Sequence, residues 1–289
     1  MINIYNETKN IMKQFNIQAN KNLGQNFLID ENVVNTIIEK SNIQKQDLVI
    51  EIGPGLGTLT LPLLERAGKV ICIELDKKMV EILNKRFYMY DNLSIIQDDI
   101  LKINLNKIIE KELQQYKTVK VVANLPYYIT TPIIMKLIED KLKIESITIM
   151  IQKEVAERLL AEPGENNSGA ITYAIYYYTK PEHVINVEKT AFIPVPKVDS
   201  AVIKLNILSE PSIKVSNEKL LFKIIKTSFM QRRKTLVNGL SNAEILEKNE
   251  AEKMLQELKM DIKIRGENLS LNDFAKIAEY IEKIQKSEL

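Results

Sequence analysis

Histidine, cysteine and tryptophan are almost missing from this chain of 289 residues, which has one His (His183), one Cys (Cys72) and no Trp. A lone cysteine forms no intrachain disulfide, and one His with one Cys falls short of the usual four zinc ligands. Two-histidine metal centres and paired-histidine acid–base chemistry are excluded as well, whereas a carboxylate-bound Mg²⁺ is not. Cys72 lies inside the run Val70-Ile71-Cys72-Ile73 and reads as a buried, inert thiol. Long hydrophobic runs are lacking too. No stretch approaches the ~18 apolar residues of a membrane span, and Met1–Asn20 carries no apolar core of a signal peptide. No membrane partner is expected, and the setting reads as cytoplasmic. Net charge is nearly absent, since 40 Lys+Arg against 38 Asp+Glu leave +2. Chemistry is left to carboxylates, amides, tyrosines, lysines, the backbone or a borrowed cofactor.

What is present is an ordinary globular balance of 45% hydrophobic and 27% charged residues. At ~150 residues per domain the length allows one large domain or two. From residue 30 to about 150, short β-branched runs (Leu48–Ile52, Val70–Glu74, Leu93–Ile96, Val119–Ala123, Ile147–Ile151) alternate with amphipathic segments. Those segments are Thr58–Arg66, Lys77–Phe87, Leu105–Tyr116 and Thr131–Glu139. Nearly all-apolar strands that alternate with helices predict an α/β fold, with a parallel sheet covered on both faces. Ala201–Leu208 alternates as a last strand, Ser209-Glu210-Pro211-Ser212 punctuates, and the chain beyond about 216 is helical in pattern. The expected organisation is a domain over 1–210 and a small all-α domain over 211–289.

The sharpest local feature is Glu51-Ile52-Gly53-Pro54-Gly55-Leu56-Gly57-Thr58, which follows a predicted strand and opens a predicted helix. Glycines let the backbone turn tightly and approach a ligand, and the helix start offers unpaired N–H groups. Glu74 ends the next strand, 21 residues after Gly53, where an acid can accept from both ribose hydroxyls of an adenosine-containing ligand. These features alone fit a dinucleotide or S-adenosylmethionine, although the G-x-G-x-G spacing is tighter than the dinucleotide pattern. Asp98 and Asp99 follow the third strand. One can accept from an adenine amine while the other caps the next helix, and spacing does not say which.

After the fourth strand stands Asn124-Leu125-Pro126-Tyr127, which faces the same crevice in a doubly wound sheet. The exocyclic nitrogen of adenine is a poor nucleophile because its lone pair is delocalised into the ring. Two acceptors on its two hydrogens favour a pyramidal nitrogen and aim the lone pair at a methyl donor. The Asn124 oxygen and the Leu125 carbonyl suit that role, with Pro126 stiffening the turn. Tyr127 offers a ring on which the base can stack, worth ~1–3 kcal/mol. A sulfonium supplies the electrophile, so this chemistry requires no metal.

With these residues in place the sequence resembles the ribosomal RNA adenine N6-dimethyltransferases, within them the bacterial small-subunit branch that confers kasugamycin sensitivity. The resemblance spans nearly the whole chain through ordered motifs: Asn22–Leu28, Glu51–Gly57, Asn124–Tyr127, Gln152–Arg158, Phe192–Ser200 and Arg232–Leu236. It implies a Rossmann-like S-adenosylmethionine-dependent methyltransferase fold with a mostly parallel seven-stranded sheet, and S-adenosylhomocysteine as product. It implies that Asn26 and Leu28 touch the cofactor, with Gly53 on the methionine side, Glu74 on the ribose, Asp99 on the adenine and Asn124 beside the transferring methyl. Gln25, Gly55, Gly57 and Ile100 complete the cofactor set. Phe192, on a proline-stiffened segment, is expected as a second aromatic wall opposite Tyr127. The implied substrate is a pair of adjacent adenosines in a hairpin near the small-subunit rRNA 3′ end. The implied partner is an assembling small subunit, met by a monomer.

The near-zero net charge hides a local asymmetry. Between Lys219 and Leu240 there are six cations (Lys219, Lys223, Lys226, Arg232, Arg233, Lys234) and no acids, a pattern that favours phosphate contact over a plain solvated face. The tyrosines Tyr173 and Tyr176–Tyr178 read as helix packing, and His183 is given no catalytic role. Three alternatives stay open: a non-catalytic rRNA-binding assembly factor, a large-subunit dimethyltransferase of the macrolide-resistance type, and a nicotinamide oxidoreductase.

Overall fold

Each β-branched run named above becomes a strand, extended by a residue or two at its ends. The structure, a computed structural model, describes residues 3–20, 23–231 and 233–287. Helix α1 (Ile4–Gln14), the short strand β1 (Phe27–Leu28) and α2 (Glu31–Ser41) precede β2 (Asp47–Ile52). There follow α3 (Thr60–Arg66), β3 (Lys69–Glu74), α4 (Lys77–Arg86), β4 (Leu93–Gln97), α5 (Leu105–Glu112) and β5 (Thr118–Asn124). Next come α6 (Thr130–Glu139), β6 (Ser146–Gln152), α7 (Lys153–Leu160), α8 (Ala170–Tyr178), β7 (Thr179–Val187), β8 (Phe192–Ile193) and β9 (Ser200–Ile207). The chain closes with α9 (Glu218–Met230), α10 (Leu236–Asn242), α11 (Lys248–Glu257) and α12 (Leu271–Ser287).

Two units result: Met1–Ala156 with Pro181–Ile207, and Glu157–Lys180 with Leu208–Leu289. The first holds a seven-stranded sheet in the order β4-β3-β2-β5-β6-β9-β7, together with the two-stranded pair β1-β8. Strands β4, β3, β2, β5 and β6 run parallel, and β9 is antiparallel to β6. Every residue of β2 is buried, which is why that run carries almost no surface alternation. The strand order reverses between β2, which leads outward to β3, and β5, which leads the other way. Such a switch point opens a crevice at the carboxyl ends of both strands. The amino ends are locked by a buried ion pair, Lys120 Nζ to Asp47 Oδ2 at 2.9 Å, with the two side chains 5% and 2% exposed. Thr118 Oγ1 and the Gln44 N–H also donate to Asp47.

The second unit corrects the expected division at one place. Its return to the chain at Leu208 falls close to the expected 210, but residues 157–180, expected in the first domain, belong to the second. The cause is aromatic burial. Tyr173 is fully buried, its ring 5.1 Å edge-on to Phe274 and 5.3 Å from Phe229, and its hydroxyl donates to the Leu269 carbonyl at 2.6 Å. Tyr177 packs edge-on against Phe222 at 5.2 Å, and burial beside Glu218 pushes its phenol up to about 12. The tyrosine run is helix packing, as expected.

Candidate functional site

The glycine loop leaves β2 at the switch point, where the Gly53 N–H donates to the Ile73 carbonyl at 2.9 Å. Gly53 and Gly57 have φ of +65° and +86°, a left-handed backbone that side chains disfavour. Their uses differ. A Cβ on Gly53 would meet nothing nearer than the Asn124 carbonyl at 4.0 Å, so this glycine keeps the cleft open. A Cβ on Gly57 would lie 2.5 Å from the Phe87 ring at the end of α4.

Most of the expected cofactor and catalytic residues converge. Gln25, Asn26, Leu28, Gly53, Gly55, Glu74, Asp99, Ile100, Asn124, Leu125, Pro126 and Tyr127 line one cleft within the first unit. Two do not. Gly57 lies behind the loop and serves its packing against α4, which corrects its place in the cofactor set. Phe192 is 1% exposed and belongs to the hydrophobic core with Leu28, its partner in the β1–β8 register. Its ring is turned into that core and is not among the side chains that line the cleft. The proline-stiffened segment places an inward-facing strand residue where an exposed plate was expected.

Glu74 ends β3 buried, and burial pushes its carboxyl above its ordinary value despite the N–H groups of Asp76 and Gly55, which donate to it at 2.8 and 3.3 Å. Both oxygens are held by backbone, so the carboxylate is aimed before any ligand arrives. Glu51 lies in the wall of the cleft, where burial lifts its carboxyl to about 7 against donors from Thr60 Oγ1 at 2.7 Å and Cys72 Sγ at 3.4 Å. Cys72 is buried with its thiol pushed well up, the inert state expected of it. Of the paired acids, Asp99 accepts from the Leu101 N–H at 3.0 Å and so caps the turn that follows. Asp98 accepts from the Asp99 N–H at 2.7 Å, and both acids line the cleft.

The N-terminal segment forms a strap along this cleft. Gln25 Nε2 donates to Asp76 Oδ2 at 2.9 Å, while Asp76 also caps α4 through the Lys78 N–H. Thr58 Oγ1 donates to the Leu28 carbonyl at 3.3 Å. Asn124 Nδ2 donates to the Asn26 carbonyl at 3.1 Å. A backbone carbonyl can only accept, so this bond orients the carboxamide and reserves Oδ1 as an acceptor. The Leu125 N–H donates to the Met150 carbonyl of β6 at 3.1 Å, which fixes the turn to the sheet. Tyr127 is half-buried, burial lifts its phenol, and its hydroxyl shares a 2.6 Å hydrogen bond with Ser200 Oγ.

Sequence reasoning missed Asp76, Ser200, Leu75 and Tyr128. The last two are apolar or aromatic, 49% and 54% exposed, and line the same cleft. Each directly follows a residue singled out in the sequence, Leu75 after Glu74 and Tyr128 after Tyr127, and that adjacency was the available signal.

In the second unit, Lys219, Lys223 and Lys226 lie on the exposed face of α9, opposite buried Leu220, Leu221 and Ile224. Arg233 and Lys234 are exposed in the turn before α10, beside a broad hollow with Gln231, Asn238 and Asn242, while Arg232 lies outside the described residues. His183 is exposed and within 3.1 Å of Asn186 Oδ1.

A mostly parallel sheet with β9 reversed beside β6, a glycine loop at its switch point, an acid ending the next strand and a carboxamide–proline–tyrosine turn define a Rossmann-like methyltransferase. The chain belongs to the ribosomal RNA adenine dimethylase family, whose model matches residues 16–283. A ribosomal RNA small subunit methyltransferase A of Lachnoclostridium phytofermentans is 48% identical over 283 residues, covering 97% of each chain. A solved dimethyladenosine transferase from Plasmodium falciparum is 30% identical with a TM-score of 0.75, covering 90% of this chain and 98% of its own. The 23S rRNA methyltransferase ErmE shares the fold at 23% identity and a TM-score of 0.68, covering 89% of this chain and all of its own.

Proposed function

We propose that this chain transfers methyl groups from S-adenosylmethionine to N6 of two adjacent adenosines in a hairpin near the 3′ end of small-subunit rRNA, giving N6,N6-dimethyladenosines during ribosome assembly. The observation that carries the reading is the Asn124 carboxamide, oriented by the Asn26 carbonyl and lining the same cleft as the glycine loop and Glu74. Full-length likeness to small-subunit rRNA methyltransferases favours the small-subunit substrate over the large one.

The cleft suits the cofactor by its donor and acceptor set. Gly53 leaves open space, Glu74 would accept from ribose hydroxyls, and Asp99 or Asp98 would accept from an adenine amine. Bound S-adenosylmethionine supplies an electrophilic methyl on a sulfonium. The chain does the rest. Asn124 Oδ1 and the Leu125 carbonyl would accept hydrogen bonds from the target amine, two before the first transfer and one before the second, and turn its lone pair toward the methyl. Each N–CH3 bond forms as the S–CH3 bond breaks, S-adenosylhomocysteine is the leaving group, and the strongly acidic N–H proton of the alkylated amine passes to water. Tyr127 stacks on the base, and Pro126 keeps these groups in one rigid turn. No side chain is required to titrate near neutrality in that sequence, and no metal is invoked.

On this reading the enzyme is a cytoplasmic monomer, and its RNA grip includes Lys219, Lys223, Lys226, Arg232, Arg233 and Lys234. The test is incorporation of labelled methyl groups into unmethylated small-subunit particles, with naked rRNA as the control. Incorporation of two methyls into each of two adjacent adenosines is expected, and no incorporation into either substrate would refute the proposal.

A further inference from the structure

Tyr127 lies on the turn after β5, whereas Ser200 opens β9, a strand separated from β5 by β6 in the sheet. The two meet through a 2.6 Å hydrogen bond between their hydroxyls. Ser200 is 0% exposed. It pairs with Gln152 in the β6–β9 register, and the carbonyl of the preceding Asp199 accepts from the Lys153 N–H at 3.0 Å. The serine is therefore a fixed point of the sheet. The tyrosine turn, in contrast, is a short 3₁₀ segment, Tyr127–Ile129, whose own ties are the bonds to the Pro126 carbonyl from Ile129 N–H and Thr130 Oγ1. Those ties hold the backbone, and the bond from Ser200 holds the far end of the half-buried ring.

We infer that Ser200 is a positioning residue for methyl transfer, acting through its hydrogen bond to fix the Tyr127 ring as the surface on which the target base stacks. This rests on the proposed function. It also gives a task to the end of the Phe192–Ser200 motif now that Phe192 lies in the core. A phenol that loses its buried partner must either stay unpaired or swing toward water, and the second option rotates the ring out of the stacking plane. Bulk on Ser200 is unimportant to this role; the hydroxyl is what matters.

The experiment is a double-mutant cycle on the full-length enzyme with Ser200→Ala, Tyr127→Phe and the double variant, each assayed for methyl transfer at saturating small-subunit particles and for S-adenosylmethionine affinity. Losing one buried hydrogen bond that holds the ring is expected to lower the transfer rate about tenfold in Ser200→Ala. Cofactor affinity should be unchanged, and the double variant should be no slower than Tyr127→Phe alone. A general packing role would instead slow the Tyr127→Phe background by the same factor again. That result, or a Ser200→Ala enzyme as fast as the wild type, would overturn the inference. Ser200→Cys, close in bulk and with a far weaker hydrogen-bonding group, repeats the cycle if the alanine variant fails to fold. A wild-type enzyme that transfers no methyl would end the proposed function and this role with it. An active wild type beside an unimpaired Ser200→Ala ends the role alone.

Discussion

The Asn124 carboxamide and the Asn26 carbonyl are joined at 3.1 Å, and the direction of that bond decides the chemistry available at the cleft. Because Nδ2 is the donor, the oxygen is the half of the amide left to accept hydrogens from an incoming amine. Asn124→Ala removes the acceptor. Asn124→Asp keeps the shape but turns a carboxylate oxygen against the Asn26 carbonyl, which spoils the orientation. Both variants should lose methyl transfer by on the order of a hundredfold or more, as removal of one preorganised hydrogen-bonding group from an active site does. Particle binding should survive, and retention of full transfer by either variant would contradict the assignment.

Glu51 makes the stability of the ligand-free protein depend on pH in an unusual sense. Burial lifts its folded-state carboxyl from 4.5 to about 7, so the fold holds the proton more tightly than the unfolded chain does. That contribution is complete below pH 4.5 and is lost as pH rises to about 7, a change on the order of 3 kcal/mol. Glu74, also pushed up by burial, acts in the same direction. Urea unfolding between pH 4.5 and 7.5 should show stability falling with pH, and Glu51→Gln should flatten the slope. An unchanged slope in that variant would show that Glu51 is ionised throughout.

Asp47 works in the opposite sense at the other end of the sheet. Burial alone would raise its carboxyl, but the Lys120 ammonium and the donors Thr118 and Gln44 outweigh burial and hold it below its ordinary 3.8. The stability it contributes is present above pH 3.8 and is lost as pH falls through the lowered folded value. Lys120→Met strands a buried carboxylate and should cost about 3–5 kcal/mol at neutral pH. The loss should shrink in acid as Asp47 protonates. A cost below ~1 kcal/mol would mean that the pair is solvated.

How much of this was legible in the sequence depends on how far apart the interacting residues lie. Strands β2, β3, β5 and β6 were readable because they are buried almost throughout and therefore mostly apolar, and the half-buried edge strand β4 was readable from its Ile95-Ile96 pair. The glycine loop, Glu74 and Asn124–Tyr127 were readable because each follows a strand end, and the switch point collects strand ends. The role of 157–180 was not, because the partners of Tyr173, Leu269 and Phe274, lie almost a hundred residues onward in another part of the chain. The burial of Phe192 was unreadable for a similar reason. Two-residue strands carry no period, so nothing local revealed that it pairs with Leu28 and turns into the core. Gly57 was misplaced because a glycine needed for packing against Phe87 looks like a glycine needed for a ligand. The Tyr127–Ser200 bond spans 73 residues, and no pattern in either motif announces it.

The cations of the second unit give a prediction in salt. Lys219, Lys223, Lys226, Arg233 and Lys234 are exposed, and groups of this kind release condensed counterions when they engage phosphates. Replacing Lys223 and Lys226 together by Gln should weaken particle binding at low salt. It should also reduce the slope of log affinity against log salt by about 0.7–0.9 for each phosphate no longer neutralised. An unaltered slope would place the RNA grip elsewhere on the molecule.

Dimethylation of two neighbouring adenosines of small-subunit rRNA through the Asn124 turn can be read in the cell. The decisive measurement is mass spectrometry of small-subunit rRNA from cells lacking the protein, complemented with the wild type or with Asn124→Ala. Unmodified adenosines are expected in the deletion strain, adjacent N6,N6-dimethyladenosines with the wild type, and none with Asn124→Ala. Dimethyladenosines that persist in the deletion strain, or that return with Asn124→Ala, would contradict this assignment.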